Sequence, residues 1–115
     1  LFVKYMQNNG LRVTFEAIAQ PDASLLSHLH VLQAGLQHEQ FVTESINTIY
    51  ANALSVKDFR TTQFLDWFVK EQGEEEMNAT ELIQKLQLFG GDAKGLYMLN
   101  QELAGRVYNP PSLVL

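Results

Sequence analysis

Cysteine is absent from the 115 residues. That removes disulfide frameworks, thiolate zinc sites and thiol nucleophiles together. It fits a reducing compartment, and a cytoplasmic location is the expectation. No run approaches the ~18 consecutive apolar residues of a membrane span, so no segment reads as transmembrane. Basic residues are few: 8 Lys and Arg stand against 13 Asp and Glu, a net charge of −5. Such a balance offers no general field for nucleic acid or anionic lipid and tends to attract cations. The chain also lacks a Ser-His-Asp set, a P-loop, a dinucleotide glycine motif and a basic groove with interleaved aromatics. It has no internal repeat and no low-complexity stretch. What it does have is apolar content: 46% hydrophobic and 10% aromatic residues against 18% charged. This is enough for one domain and too little for two, so a single domain over residues 1–115 is expected.

Apolar spacing predicts helices throughout. Leu1, Phe2, Tyr5 and Met6 share a face, and Asn8-Asn9-Gly10 is a stop signal. Because no cap residue opens this segment, it reads as the last two turns of a longer helix. Leu11, Val13, Phe15 and Ala17 alternate with polar neighbours, the pattern of an extended segment. The dozen or so residues up to Pro21 can span about 40 Å, close to the ~45 Å of a helix of about 30 residues. The segment can therefore cross the length of a bundle and make its flanking helices parallel. Pro21-Asp22-Ala23-Ser24 is expected to open a second helix that runs to about Ser55. After a brief connection at Val56-Lys57-Asp58 a third runs to about Phe89, and so short a link makes the two antiparallel neighbours. Gly90-Gly91-Asp92 breaks the chain. A shorter helix from Gly95 to Arg106 then carries Leu96, Leu99, Leu103 and Val107 on one face, and Pro110-Pro111 precede a tail.

The two long helices share an anomaly. The stripe of the second is Leu25, Leu29, Leu32, Leu36, Glu39, Thr43, Ile46, Tyr50 and Ala53, apolar except at Glu39 and Thr43 in its middle. The stripe of the third is Thr61, Leu65, Phe68, Gln72, Glu75, Ala79, Leu82, Leu86 and Phe89, again polar at the centre, with Glu71 one turn before Glu75 and Glu74 turned away. Glu39 and the Gln72–Glu75 stretch lie at similar distances from the connection, so in an antiparallel hairpin they meet at one level. No lysine or arginine lies on either stripe. A carboxylate at the centre of a buried stripe is costly unless it is paired or bound to a metal. Facing oxygen ligands in a dry core are what Fe²⁺, Mn²⁺ or a similar cation requires. Glu76 is expected to be solvated. His28, His30 and His38 are expected at the surface, and Trp67 is expected to pack beside the core rather than relay electrons.

These residues also carry a resemblance. His38-Glu39-Gln40 with Ser45-Ile46-Asn47, then FLDWFVKEQGEEE from Phe64 to Glu76, KLQLFG from Lys85 to Gly90, and GLYMLNQEL from Gly95 to Leu103 resemble the bacterial non-haem ferritins, in order and across essentially the whole chain. The resemblance implies an all-α, ferritin-like four-helix bundle with a long crossover and a short fifth helix, the N-terminal helices being absent from this sequence. It implies oxidation of Fe²⁺ by O₂ or peroxide at a di-iron centre, and storage of the product as ferric mineral inside a cage of 24 subunits. By position Glu39, with Glu75 beside it and Gln72 nearby, resembles the ligand set of the second iron. Glu71, Glu74 and Glu75 resemble the ligands of a third iron site. Gln72 and Glu75 stand where the haem-containing relatives carry a Glu-x-x-His pair, which favours the non-haem branch, and the short terminal helix argues against the smaller DNA-protecting cages.

The family's other ligands, a glutamate on the first helix and a Glu-x-x-His on the second, have no counterpart in this sequence, so the first iron site cannot be built from its residues. A rival reading makes the chain a structural or assembly protein that dimerises through its long helix pair, with a partial or absent iron site.

Overall fold

The computed structural model describes residues 1–21 and 24–115, which form four α-helices and no strand. They are α1 (Phe2–Asn8), α2 (His28–Ser55), α3 (Phe59–Phe89) and α4 (Ala93–Ala104). The chain divides into two compact units, Leu1–Ser24 with Tyr108–Leu115, and Leu25–Val107.

In the first unit, α1 ends as its stop signal requires. Gly10 takes a positive φ of 70°, its N–H donates to Gln7 O, and the N–H of Leu11 donates to Met6 O. These two bonds are the Schellman closure, which satisfies the last carbonyls of a helix through a left-handed residue. The segment after it contains no helix and pairs with no strand among the described residues. Its alternation does not produce a covered face: Val13 is half-buried, whereas Leu11 and Phe15 are 53% and 83% exposed.

In the second unit, α2 begins at His28 rather than near Pro21. Ser27 is its cap: its Oγ accepts from the His30 N–H at 3.1 Å. The capping hydroxyl thus sits later than the Pro21-Asp22-Ala23-Ser24 signal, of which residues 22 and 23 lie outside the described set. At its other end α2 closes with a second Schellman motif, Lys57 N–H to Leu54 O and Asp58 N–H to Ala53 O, with Lys57 at φ 61° where glycine usually stands. Asp58 then caps α3, accepting from the Thr61 N–H at 3.1 Å and the Thr61 hydroxyl at 2.6 Å. These bonds hold its carboxyl below the ordinary 3.8.

α2 and α3 pack along one another from this turn. Ile46, Ala53, Phe64 and Leu65 are buried, and Leu65 has no exposed surface. Phe64, Phe68 and Trp67 form edge-to-face ring contacts at 5.0 and 4.9 Å. The Tyr50 hydroxyl donates across the hairpin to Asp66 at 3.1 Å, and that carboxylate raises the phenol above its ordinary 10.0.

α4 starts two residues before Gly95, because Asp92 accepts from the Gly95 N–H at 2.7 Å and so caps the helix at Ala93. Leu99 is buried and Leu96 and Leu103 are half-buried, as their spacing predicts. Val107 does not join them: the helix ends at Ala104 with Gly105 as its cap, and Val107 is 80% exposed. Gly95 is required by proximity, since a Cβ there would lie 1.8 Å from Phe89 O. Lys85 of α3 and Glu102 of α4 form an ion pair across the same contact. No helix among the described residues is long and apolar enough to cross a membrane.

Candidate metal centre

The α2 stripe emerges as predicted from Leu29 to Ala53, with Glu39 and Thr43 half-buried among half-buried and buried apolar neighbours. Gln72 meets them from α3 and is itself buried. Its Nε2 lies 3.1 Å from both the backbone oxygen and Oε2 of Glu39, and 3.4 Å from Thr43 Oγ1. The polar middles of the two helices therefore sit at one level, as equal spacing from the turn requires.

Two expectations for this layer fail. Glu75 is exposed, and Glu76, expected in solvent, is half-buried and accepts a 2.6 Å hydrogen bond from the Thr43 hydroxyl. Helical geometry explains the exchange. From Gln72, a step of three residues falls ~60° short of a full turn while a step of four overshoots by only ~40°. The contact line with α2 follows Gln72, Glu76 and Ala79, and turns Glu75 aside. Glu75 lies instead on an open groove of about 280 Å³, which it shares with Glu39, Asn78 and the apolar Val31, Leu32 and Leu82. The layer is thus not dry. Nor is it free of cations, because Arg106, just beyond α4, lines the same groove.

Of the remaining candidates, Glu71 is half-buried. Glu74 is exposed, 3.7 Å from Lys70 in an i,i+4 pair of the solvated kind, which contributes little. His28, His30 and His38 are exposed, as expected; His30 closes the α2 cap and His38 stacks on Phe41. Trp67 is half-buried against Phe68. Among the described residues no three or more His, Asp or Glu side chains converge closely enough to hold a metal ion. What the structure assembles is a carboxylate–amide pair, Glu39 and Gln72, with a second carboxylate, Glu75, and the Arg106 guanidinium on the groove beside Glu39.

The signal that would find Glu76 is its place four residues after Gln72, matching Thr43 four residues after Glu39. Arg106 has no such local signal, since its position depends on how α4 folds back.

A sequence profile described as the ferritin-like domain matches residues 1–89. The bacterial non-heme ferritin of Campylobacter jejuni is 36% identical over 99 residues, 86% of this chain and 59% of that protein. The bacterial non-heme ferritin of Escherichia coli O6:H1 is 34% identical over 100 residues, 87% of this chain and 61% of that protein. An engineered closed form of the Archaeoglobus fulgidus ferritin superposes with a TM-score of 0.89 at 36% identity, over 93% of this chain and 65% of that one. A humanized archaeal ferritin does so with a TM-score of 0.90 at 35% identity, over 94% and 66%. The chain spans about three fifths of the length of these curated relatives. Its helices have the ferritin-like all-α fold, and the chain belongs to the ferritin family.

Proposed function

We propose that the chain serves iron storage, binding Fe²⁺ as substrate at Glu39 and Glu75 with Gln72 beside them and promoting its oxidation. The carrying observation is the meeting of Glu39 and Gln72 across the hairpin, with Gln72 Nε2 3.1 Å from Glu39 Oε2. A layer whose neighbours above and below are apolar is given over to polar groups, and the groove beside it brings in a second carboxylate. Family membership supports the same reading. Hard carboxylate oxygens favour Fe³⁺ over Fe²⁺, so they lower the cost of oxidation; the metal carries the redox chemistry and the protein supplies binding and orientation.

Glu71 and Glu74 are proposed to take a further iron ion with Glu75, at the cost of releasing Glu74 from Lys70. For the whole subunit the family resemblance implies ferroxidase activity, a mineral-holding cage of 24 copies and a cytoplasmic location, and these are proposed here on that ground. Aerobic Fe²⁺ oxidation by the purified chain tests the site. The double variant Glu39→Ala/Glu75→Ala is expected to oxidise iron at least about tenfold more slowly than the parent. An equal rate removes the assignment.

A further inference from the structure

The Gln72 amide is held in one of its two orientations, by two oxygens of Glu39 and by a hydroxyl that lies outside the proposed iron ligands. Two of its three neighbours, the backbone oxygen of Glu39 and the Glu39 carboxylate oxygen Oε2, can only accept. The third is the Thr43 hydroxyl, which can accept or donate. With Nε2 toward α2 the two amide hydrogens are shared among these acceptors. Turned over, its oxygen would face two further oxygens, and its one possible donor there would be the Thr43 proton. That proton is already committed. The hydroxyl lies 2.6 Å from Glu76 Oε1 and 3.1 Å from Glu39 O, and the nearer, charged acceptor takes it. Glu76 thereby withdraws the only hydrogen that these described neighbours could offer the turned amide.

We propose that Thr43 and Glu76 form a positioning pair for the iron-binding layer. By reinforcing the orientation that Glu39 sets, they keep one Gln72 N–H on Glu39 Oε2, leave Glu39 Oε1 for the metal, and keep the Gln72 amide oxygen on the side away from the α2 acceptors. Glu76 holds no metal in this scheme; its Oε1 accepts from the Thr43 hydroxyl. The inference rests on the reading that Glu39 and Glu75 bind iron, and the test separates the two.

The probe is Co²⁺, a divalent ion that air does not oxidise in such sites and whose visible spectrum reports oxygen coordination, titrated into the purified full chain. Thr43→Val keeps the shape and removes the hydroxyl. It is expected to weaken Co²⁺ binding at least about tenfold, the usual scale for losing a group that orients a ligand. Thr43→Ser restores the hydroxyl and is expected to bind within about threefold of the parent. Glu76→Ala is expected to weaken binding, and Thr43→Val/Glu76→Ala to bind no more weakly than Thr43→Val alone, because both changes disable one device. Unfolding midpoints are recorded in parallel. A Thr43→Val chain with a lowered midpoint but parental Co²⁺ affinity overturns the positioning role and leaves only a structural one. So does parental affinity in both single variants while Glu39→Ala loses binding, and in that case the iron reading survives. Parental affinity in Glu39→Ala/Glu75→Ala overturns the iron reading and the positioning pair with it.

Discussion

The two halves of the α2–α3 hairpin are built from similar stripes and end up different. On the side of the turn, Ile46, Ala53, Thr62, Phe64 and Leu65 are buried. Beyond the Glu39–Gln72 layer, Leu29, Leu32, Leu36, Leu82 and Leu86 are only half-buried. The grooves next to α4 and next to Glu39 lie on that far side. The hydrophobicity of the two halves does not account for this, since the far stripe is if anything richer in leucine. The difference lies in closure. The near half is pinned by a Schellman motif and an N-cap within a few residues, whereas the far half is met by one short helix. The polar layer sits at the border, with a packed core on one side and an open groove on the other.

Core truncation is the strongest way to probe that contrast. Leu65→Ala on the packed side is expected to cost about 2–5 kcal/mol, the range for a fully buried leucine. Leu82→Ala on the far side is expected to cost about 1–2 kcal/mol, in proportion to the smaller area removed from water. Denaturant unfolding of both variants at one protein concentration checks the difference, and equal costs would erase the distinction between the halves.

A change at α4 tests the far half from outside. The Cβ of Gly95→Ala would lie 1.8 Å from Phe89 O, a backbone atom that cannot swing away. The start of α4 has to shift, at a cost of about 1–3 kcal/mol by analogy with overpacked cores. The Lys85–Glu102 pair is expected to break with it. Crystallography of the variant reads the displacement, while the Tyr50–Asp66 contact near the turn should stay as it is.

The sequence made much of this legible and missed particular parts for physical reasons. The antiparallel hairpin, the common level of Glu39 and Gln72, and the stripes apart from Leu25, Glu75 and Phe89, which are exposed, follow from periodicity and from counting out from a short turn. The start of α2 was misplaced because Pro21 and its polar neighbours resemble an opening, while the hydroxyl that reaches a free N–H is that of Ser27. The exchange of Glu75 for Glu76 was missed because a stripe counted in steps of three and four does not say which step falls at the closest approach. Arg106 came to the groove through the fold-back of α4, a tertiary event with no local signature.

The near half can also be improved. Both Schellman closures place a residue in the left-handed region, Gly10 at φ 70° and Lys57 at φ 61°. A side chain there costs roughly 1–2 kcal/mol through crowding of its Cβ. Lys57→Gly is therefore expected to stabilise the hairpin by about 0.5–1 kcal/mol once the added freedom of glycine in the unfolded chain is subtracted. A rise in the denaturant midpoint with an unchanged slope is the outcome that agrees.

The smallest effect is a pH dependence confined to the same turn. Thr61 donates twice to Asp58, which lowers the Asp58 carboxyl below 3.8 in the folded chain. A group whose folded pKa is depressed stabilises the fold above its unfolded pKa and loses that contribution as pH falls through the folded value. The stability gap between the parent and Asp58→Ala should thus be constant from neutral pH down to the ordinary carboxylate range and narrow below it. Leu82→Ala, which removes no titrating group, should show a gap without that acid step. If the Asp58→Ala gap ran flat through strong acid, the cap would owe nothing to the charge on Asp58, and the closure of the near half would rest on the Schellman bonds and apolar packing alone.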